Sequence, residues 1–113
     1  MKIQIIRQGD LGFVSIAEIP KNVKELKFNS EFVLATGEAT GHRHLLVADY
    51  PETKIRIFQD INDRHFLDIS GGSASVKHEE HKTKILSPRF YIQEQQVEYD
   101  ELEELEKMRK VKD

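Results

Sequence analysis

The sequence predicts an all-β fold, a small antiparallel barrel or double-sheet roll of about eight strands, followed by a C-terminal α-helix. Apolar residues fall in short runs, several of them with a period of two, as strands require. Gly, Asn, Asp and Pro separate these runs at regular intervals, which is typical of turns between antiparallel strands. We therefore expect residues 1–99 to form the barrel and residues 100–113 the helix. The chain has 113 residues, enough for one core and not for two, so both parts belong to one domain.

The first strands form a predicted hairpin. "KIQIIRQ" and "FVSIAEI" are apolar runs on either side of a "GDLG" turn. Pro20 ends the second strand, because proline has no backbone N–H to give to a sheet. The next stretch, "KNVKELKF", is too short for a stable helix and is interpreted as a connector.

The middle and end of the barrel follow the same pattern. "EFVLATGEATGHRHLLVADY" is apolar at both ends, with glycines where a strand bends. "TKIRIFQ" and "RHFLDIS" form a predicted hairpin whose turn contains Asn62 and Asp63. "SASVKH" and "RFYIQEQQVEY" supply the last strands, which brings the number to about eight and fits a small barrel or roll.

The tail has the signature of a helix. Asp100 is a predicted N-cap with Glu103 three residues later, and basic residues fill the second half of the segment. An apolar stripe repeats every three residues and comprises Leu102, Leu105, Met108 and Val111. Packing on the barrel or on a neighbouring subunit would bury this stripe. It is therefore a candidate interaction helix, and a homo-oligomer could form through it or through a barrel edge.

Charge and composition narrow the classes of function. The net charge is −3, from 17 basic and 20 acidic residues, with no long basic run, so we expect no nucleic-acid partner. The chain has no cysteine, so any metal site must use histidine and carboxylate ligands. The apolar run after Met1 is too short for a signal peptide or a membrane span. The expected location is the cytoplasm, without membrane attachment.

Four of the five histidines occur in two clusters, and the first is "GHRH". In a strand, His42 and His44 point to the same face with roots about 6.6 Å apart, so both can reach one ion. Glu38 lies on the same face, and Asp49 follows a few residues later. These two carboxylates are candidate additional ligands or hydrogen-bond partners of the ligands.

The second cluster is "HEEH", with His78 and His81. A separation of three places them on opposite faces of a regular strand, so a turn is needed to bring both inward. With His42 and His44 they form a predicted site for zinc, iron, nickel or copper. "HEEH" is not the helical zinc-protease motif, which has histidines four apart, and no other catalytic signature is present. We therefore expect a structural or binding role. The alternative is an interaction module whose histidines form a hydrogen-bonded polar core, and His65 is interpreted as structural.

Two resemblances follow from these motifs. "GHRHLLVAD" resembles the first motif of the cupin superfamily, a His-x-His pair followed by a carboxylate, here Asp49. The resemblance implies a metal-binding, cupin-like roll. "RQGDLGFVSI", "GEATGHRH" and "VKHEEHKTKILSPRFYIQEQQVEYD" resemble a family of small uncharacterised bacterial and phage proteins. That resemblance covers most of the chain and implies one domain that contains both histidine clusters.

Overall fold

The computed structural model describes residues 4–28, 30–36 and 43–95. The described chain contains ten strands: β1 (Ile5–Gln8), β2 (Leu11–Ile16), β3 (Lys24–Leu26), β4 (Glu31–Thr36), β5 (Arg43–Ala48), β6 (Lys54–Gln59), β7 (His65–Ser70), β8 (Ala74–Lys77), β9 (Lys84–Leu86) and β10 (Phe90–Gln95). The predicted all-β class is confirmed.

The strands form two separate antiparallel sheets. The six-stranded sheet has the order β1-β2-β10-β7-β6-β3, and the four-stranded sheet has the order β4-β5-β8-β9. Within the described ranges no ladder joins the two sheets, so the prediction of a barrel or cupin-like roll of about eight strands is wrong. The sheets are held by packing, as in a sandwich, and not by closure of one hydrogen-bonded ring. The described residues contain no helix, and the predicted helix at 100–113 lies outside them.

The core lies between the two sheets. Its members come from both sheets: Leu11, Phe13, Leu34, Leu46, Ile57, Leu67, Ile69, Ala74, Val76, Leu86 and Tyr91. Alternate residues of each strand supply this inner face, because successive side chains of a strand point to opposite sides. In β5, Leu46 is fully buried and the neighbouring His44 on the same face is 5% exposed. The inner face of β5 thus ends in a buried histidine.

Two strands depart from the sequence interpretation because they are short. β3 occupies part of the predicted connector and pairs with β6, and β9 pairs with β8. Each has three residues. A run of that length has no measurable periodicity, and its pairing partner decides its structure.

An irregularity in β4 lies next to the buried histidine. The pairing of β4 with β5 shifts between Val33 and Ala35, so Leu34 is an extra residue opposite the β5 ladder. Leu34 is buried in the core, and its carbonyl oxygen accepts a hydrogen bond from Gln93 of the other sheet. Ala35 pairs with His44 on the far side of this bulge. The bulge thus adjusts the pairing of β4 at the position of His44.

Candidate functional site

Three imidazole rings meet at one end of the sandwich. The ring centroids of His44 and His78 are 4.4 Å apart, and those of His78 and His81 are 4.6 Å apart. The rings of His44 and His81 are nearly parallel, with centroids 6.3 Å apart. We call these three residues the histidine cluster. It joins β5 to the segment after β8, since β8 pairs with β5 and ends at Lys77.

The buried Gln8 of β1 fixes the orientation of His44. Its Nε2 donates to the carbonyl oxygens of Val76 at 2.7 Å and Lys82 at 2.8 Å. Carbonyl oxygens only accept, so the amide nitrogen must face them, and Oε1 must face His44. The distance from Oε1 to Nδ1 of His44 is 2.8 Å. In this hydrogen bond Nδ1 donates, and a neutral His44 therefore carries its lone pair on Nε2.

A carboxylate lies near the Nε2 atom of His44. Nε2 lies 3.7 Å from Oδ1 of Asp10, in the turn between β1 and β2. Burial is the main reason why the pKa of His44 is below its ordinary value; His78 lowers the pKa further, and Asp10 raises it. His44 is therefore neutral at pH 7, which is the state that binds metals.

Gly9 makes room for His81. Gly9 has a φ of +62°, and a Cβ at this position would stand only 2.7 Å from Nε2 of His81. Gln8 pairs with Leu11, so Gly9 and Asp10 form a two-residue turn with glycine first, as tight hairpins prefer. The β1–β2 turn thus contributes a carboxylate near His44 and a space beside His81.

Hydrogen bonds of Glu79 and Glu80 hold the segment after β8 in place. The backbone N–H of Glu80 donates to Nδ1 of His78 at 3.0 Å. The backbone N–H of Arg43 donates to Oε2 of Glu79 at 3.1 Å, which ties this segment to the start of β5. A neutral His78 that accepts at Nδ1 carries its proton on Nε2. Coordination of an ion by His78 therefore requires the Glu80 hydrogen bond to be given up.

The structure separates Asp49 from the histidine cluster. Asp49 follows the opposite end of β5 from His44, and its carboxylate accepts hydrogen bonds from Ser73 and Ser75. His42 and Glu38 lie outside the described residues. The stripe of the predicted interaction helix, Leu102, Leu105, Met108 and Val111, also lies outside them. Of the predicted site residues, the structure therefore brings together His44, His78 and His81.

Sequence interpretation missed Gln8, Gly9 and Asp10. In the sequence they belong to a predicted strand end and turn, and nothing in them indicates a contact with residues 44 and 78–82. The one sequence feature that could have suggested a role is the carboxylate of Asp10 in a tight turn directly after a glycine. Its relation to the histidines depends on the pairing of β1 with β2 and on the approach of β1 to β9, which bring the turn to the other sheet.

His65 lies apart from the cluster and packs between the sheets. Its ring contacts that of Phe32 of the four-stranded sheet in an edge-to-face arrangement, with centroids 5.8 Å apart. Burial lowers the pKa of His65 below its ordinary value, and Asp63 and Asp60 oppose this shift. The position fits the structural role expected for this residue.

We expect the metal-free protein to lose stability as the pH falls from 7 to 5. The pKa values of His44 and His65 are both lowered from 6.5 in the folded state, so the unfolded chain takes up protons first. The free energy of unfolding is then highest at pH values above the histidine pKa of the unfolded chain. It decreases as the pH falls through that pKa towards the lower pKa values of His44 and His65 in the folded protein. Urea titrations at several pH values measure this, and His65→Phe, which keeps a ring against Phe32, should reduce the slope. Equal slopes in the two proteins would remove His65 from the explanation.

A family model described as a domain of unknown function (DUF8820) matches residues 7–96. The chain belongs to this family. The expectation of an uncharacterised family is thereby confirmed, while its bacterial or phage origin stays a prediction. No curated protein and no solved structure matches the chain, and nothing in these comparisons supports the cupin resemblance. The part of the chain that the structure describes has no helix long and apolar enough to cross a membrane.

Proposed function

We propose that this protein binds one transition-metal ion through His44, His78 and His81, in a structural or binding role. The supporting observation is the contact of three imidazoles around a buried, neutral His44 whose lone pair is oriented by Gln8. A hydrogen bond that fixes the tautomer of a histidine ligand is a regular feature of metal sites. Imidazole donors suit zinc, iron, nickel and copper.

The cluster needs a limited rearrangement to hold an ion. Within the described residues, no group of three or more potential ligands already has the arrangement of a metal centre. Ring centroids of imidazoles bound to one tetrahedral ion lie about 5 Å apart, given metal–nitrogen bonds of 2.0–2.1 Å. The observed separations of 4.4, 4.6 and 6.3 Å bracket that value. Rotation of His78 and His81 in their partly exposed segment would bring the nitrogens together, while His44 stays fixed.

A bound ion would cross-link parts of the chain that are distant in sequence. It would join β5 to the segment after β8, and would do so in a small domain where such a link contributes to folding. This supports a structural or binding role, because the link itself is the effect of the ion. His42, the fourth histidine of the sequence prediction, lies outside the described residues; its role stays a prediction from the sequence, and it is not among the three ligands of this proposal.

Elemental analysis of untagged protein purified without chelator tests the proposal. We expect about one transition-metal ion per chain in the wild type and in His65→Phe, which removes one imidazole from outside the cluster. His78→Ala/His81→Ala should contain almost none, since it lacks two of the three proposed imidazole ligands. A wild type that stays folded, contains no metal and acquires none from zinc, nickel, copper or ferrous salts would contradict the proposal.

A second candidate function is self-association, and the outer face of the four-stranded sheet supports it. On this face Val33 of β4 is directly paired with Leu45 of β5. Ile85 of β9 lies on the same face, in line with Val47 of β5 across the intervening strand β8. The side chains of Val33 and Ile85 are 41% and 63% exposed. Sedimentation of the full chain, of a variant that lacks residues 100–113 and of Ile85→Lys tests this candidate. A monomeric full chain at all concentrations would contradict it.

A further inference from the structure

We infer that Asp10 is the fourth ligand of the metal site, so that the ion is held by three imidazole nitrogens and one carboxylate oxygen. This inference rests on the proposed function and deepens it. Neither the histidine motifs nor the family match draws attention to Asp10. The inference follows from where the β1–β2 turn places its side chain.

Two electron-pair donors meet beside the β1–β2 turn. Gln8 places the proton of a neutral His44 on Nδ1, so Nε2 presents a lone pair. Oδ1 of Asp10 lies 3.7 Å from that nitrogen. Each of these two atoms can give an electron pair to a cation, and a metal ion between them would bind both.

The distance between His44 and Asp10 is close to that between two ligands of one ion. In a tetrahedral site with bonds of 2.0–2.1 Å, a ligand nitrogen and a ligand oxygen lie about 3.3 Å apart. The separation of 3.7 Å between His44 and Asp10 exceeds this by about 0.4 Å. The His44–Asp10 edge of the site is therefore nearly formed, whereas His78 must first give up its hydrogen bond from the backbone N–H of Glu80.

Strand pairing holds the β1–β2 turn in place. The Gly9-Asp10 turn is held by the pairing of Gln8 with Leu11, and Leu11 is fully buried. Gly9 accommodates the ring of His81 on the same turn. The turn thus approaches two members of the histidine cluster at once, and Asp10 is the residue of this turn with a side chain that can ligate.

The ligand set predicts which ions the site takes. Three imidazoles and one carboxylate favour zinc and other transition ions that accept mixed nitrogen and oxygen donors, and they disfavour magnesium and calcium, which require oxygen ligands. Four protein ligands leave a tetrahedral ion without an open position. This agrees with a structural role and with the absence of a catalytic signature in the sequence.

Titration of metal-free protein with Co²⁺, followed by its visible absorption, tests the inference, with Zn²⁺ competition giving the zinc affinity. The variants are Asp10→Asn, which removes the charge, and Asp10→Ser, which also removes the reach of the side chain. Asp63→Asn is the matched control. It makes the same substitution in the turn between β6 and β7. In the six-stranded sheet, β10 lies between this hairpin and the β1–β2 hairpin that carries Asp10.

We expect wild type and Asp63→Asn to bind alike, with an intense tetrahedral cobalt spectrum. Loss of a histidine-supporting group outside the ligand shell already weakens zinc binding by 10–100-fold, so loss of a direct ligand should cost about 100-fold or more. Asp10→Ser should also lose intensity in the spectrum. Unchanged affinity and spectrum in both folded Asp10 variants would overturn the inference and leave the histidine site standing. A wild type that binds neither ion would overturn the proposed function as well.

Discussion

Zinc at a free concentration 100 times its dissociation constant will raise the free energy of unfolding of this protein by about 2.7 kcal/mol. The gain arises because the folded chain brings His44 to the segment after β8, whereas the unfolded chain does not hold these residues together. The same zinc concentration will leave the stability of His78→Ala/His81→Ala nearly unchanged. Urea titrations with and without zinc measure both values.

The double variant is suitable because its two side chains contribute little to the core. His81 is exposed and His78 is half-buried, so the wild type and the double variant should both fold without metal. His65→Phe is the control that keeps the cluster and should retain the full gain. An equal gain in wild type and double variant would show that zinc binds elsewhere on the chain.

Replacement of Gln8 by alanine will destabilise the metal-free protein by about 3 kcal/mol. Gln8 is 1% exposed, and its amide has three partners: the carbonyl oxygens of Val76 and Lys82 and Nδ1 of His44. Alanine leaves these groups without their partner in a buried place, and each such loss costs about 1–3 kcal/mol before water re-enters. Chemical unfolding of the two proteins at pH 7 measures the difference.

The matched control is Gln59→Ala. Gln59 is half-buried at the end of β6, and its Nε2 donates to Asp63 in an exposed hydrogen bond. Its loss should change stability by less than about 0.5 kcal/mol. A Gln8→Ala protein as stable as this control would show that Gln8 does not hold β1 to the other sheet.

Gln8 also offers a test of the link between structure and metal binding. A supporting residue of this kind typically changes metal affinity by 10–100-fold. We therefore expect Gln8→Leu, which replaces the amide with an apolar side chain of similar volume, to bind zinc more weakly than its loss of stability alone predicts. Wild-type affinity in this variant would remove Gln8 from the site while leaving its structural role.

The sequence determined the β class because alternation along each strand is a local property. Barrel and sandwich have the same alternation, so the pattern could not distinguish them. The distinction depends on whether β4 pairs with a strand of the other sheet, which is a contact between distant residues. The length of β5 separates Asp49 from His44. Five residues of extended chain span about 16 Å, which is too far from His44 for a shared ion.

The histidine cluster was predictable only where it depends on local sequence patterns. His44 lies in a strand, as the sequence predicts, and the chain bends after β8, as the pair His78 and His81 requires. The roles of Gln8 and Asp10 were not predictable. Both depend on β1 and its turn lying beside β8 and the segment that follows it, which is a contact between residues distant in sequence. Gln8 reads as an ordinary polar residue of an edge strand until its amide is seen to bond Val76 and Lys82.

X-ray absorption at the zinc edge, measured on metal-free protein loaded with one equivalent of Zn²⁺, tests the proposed ligand set. The spectrum reports the ligands themselves. The proposed site predicts three imidazole nitrogens and one carboxylate oxygen at about 2.0–2.1 Å, with the imidazole signal lost in His78→Ala/His81→Ala. A shell of oxygen atoms alone, identical in the two proteins, would contradict a metal site at the histidine cluster.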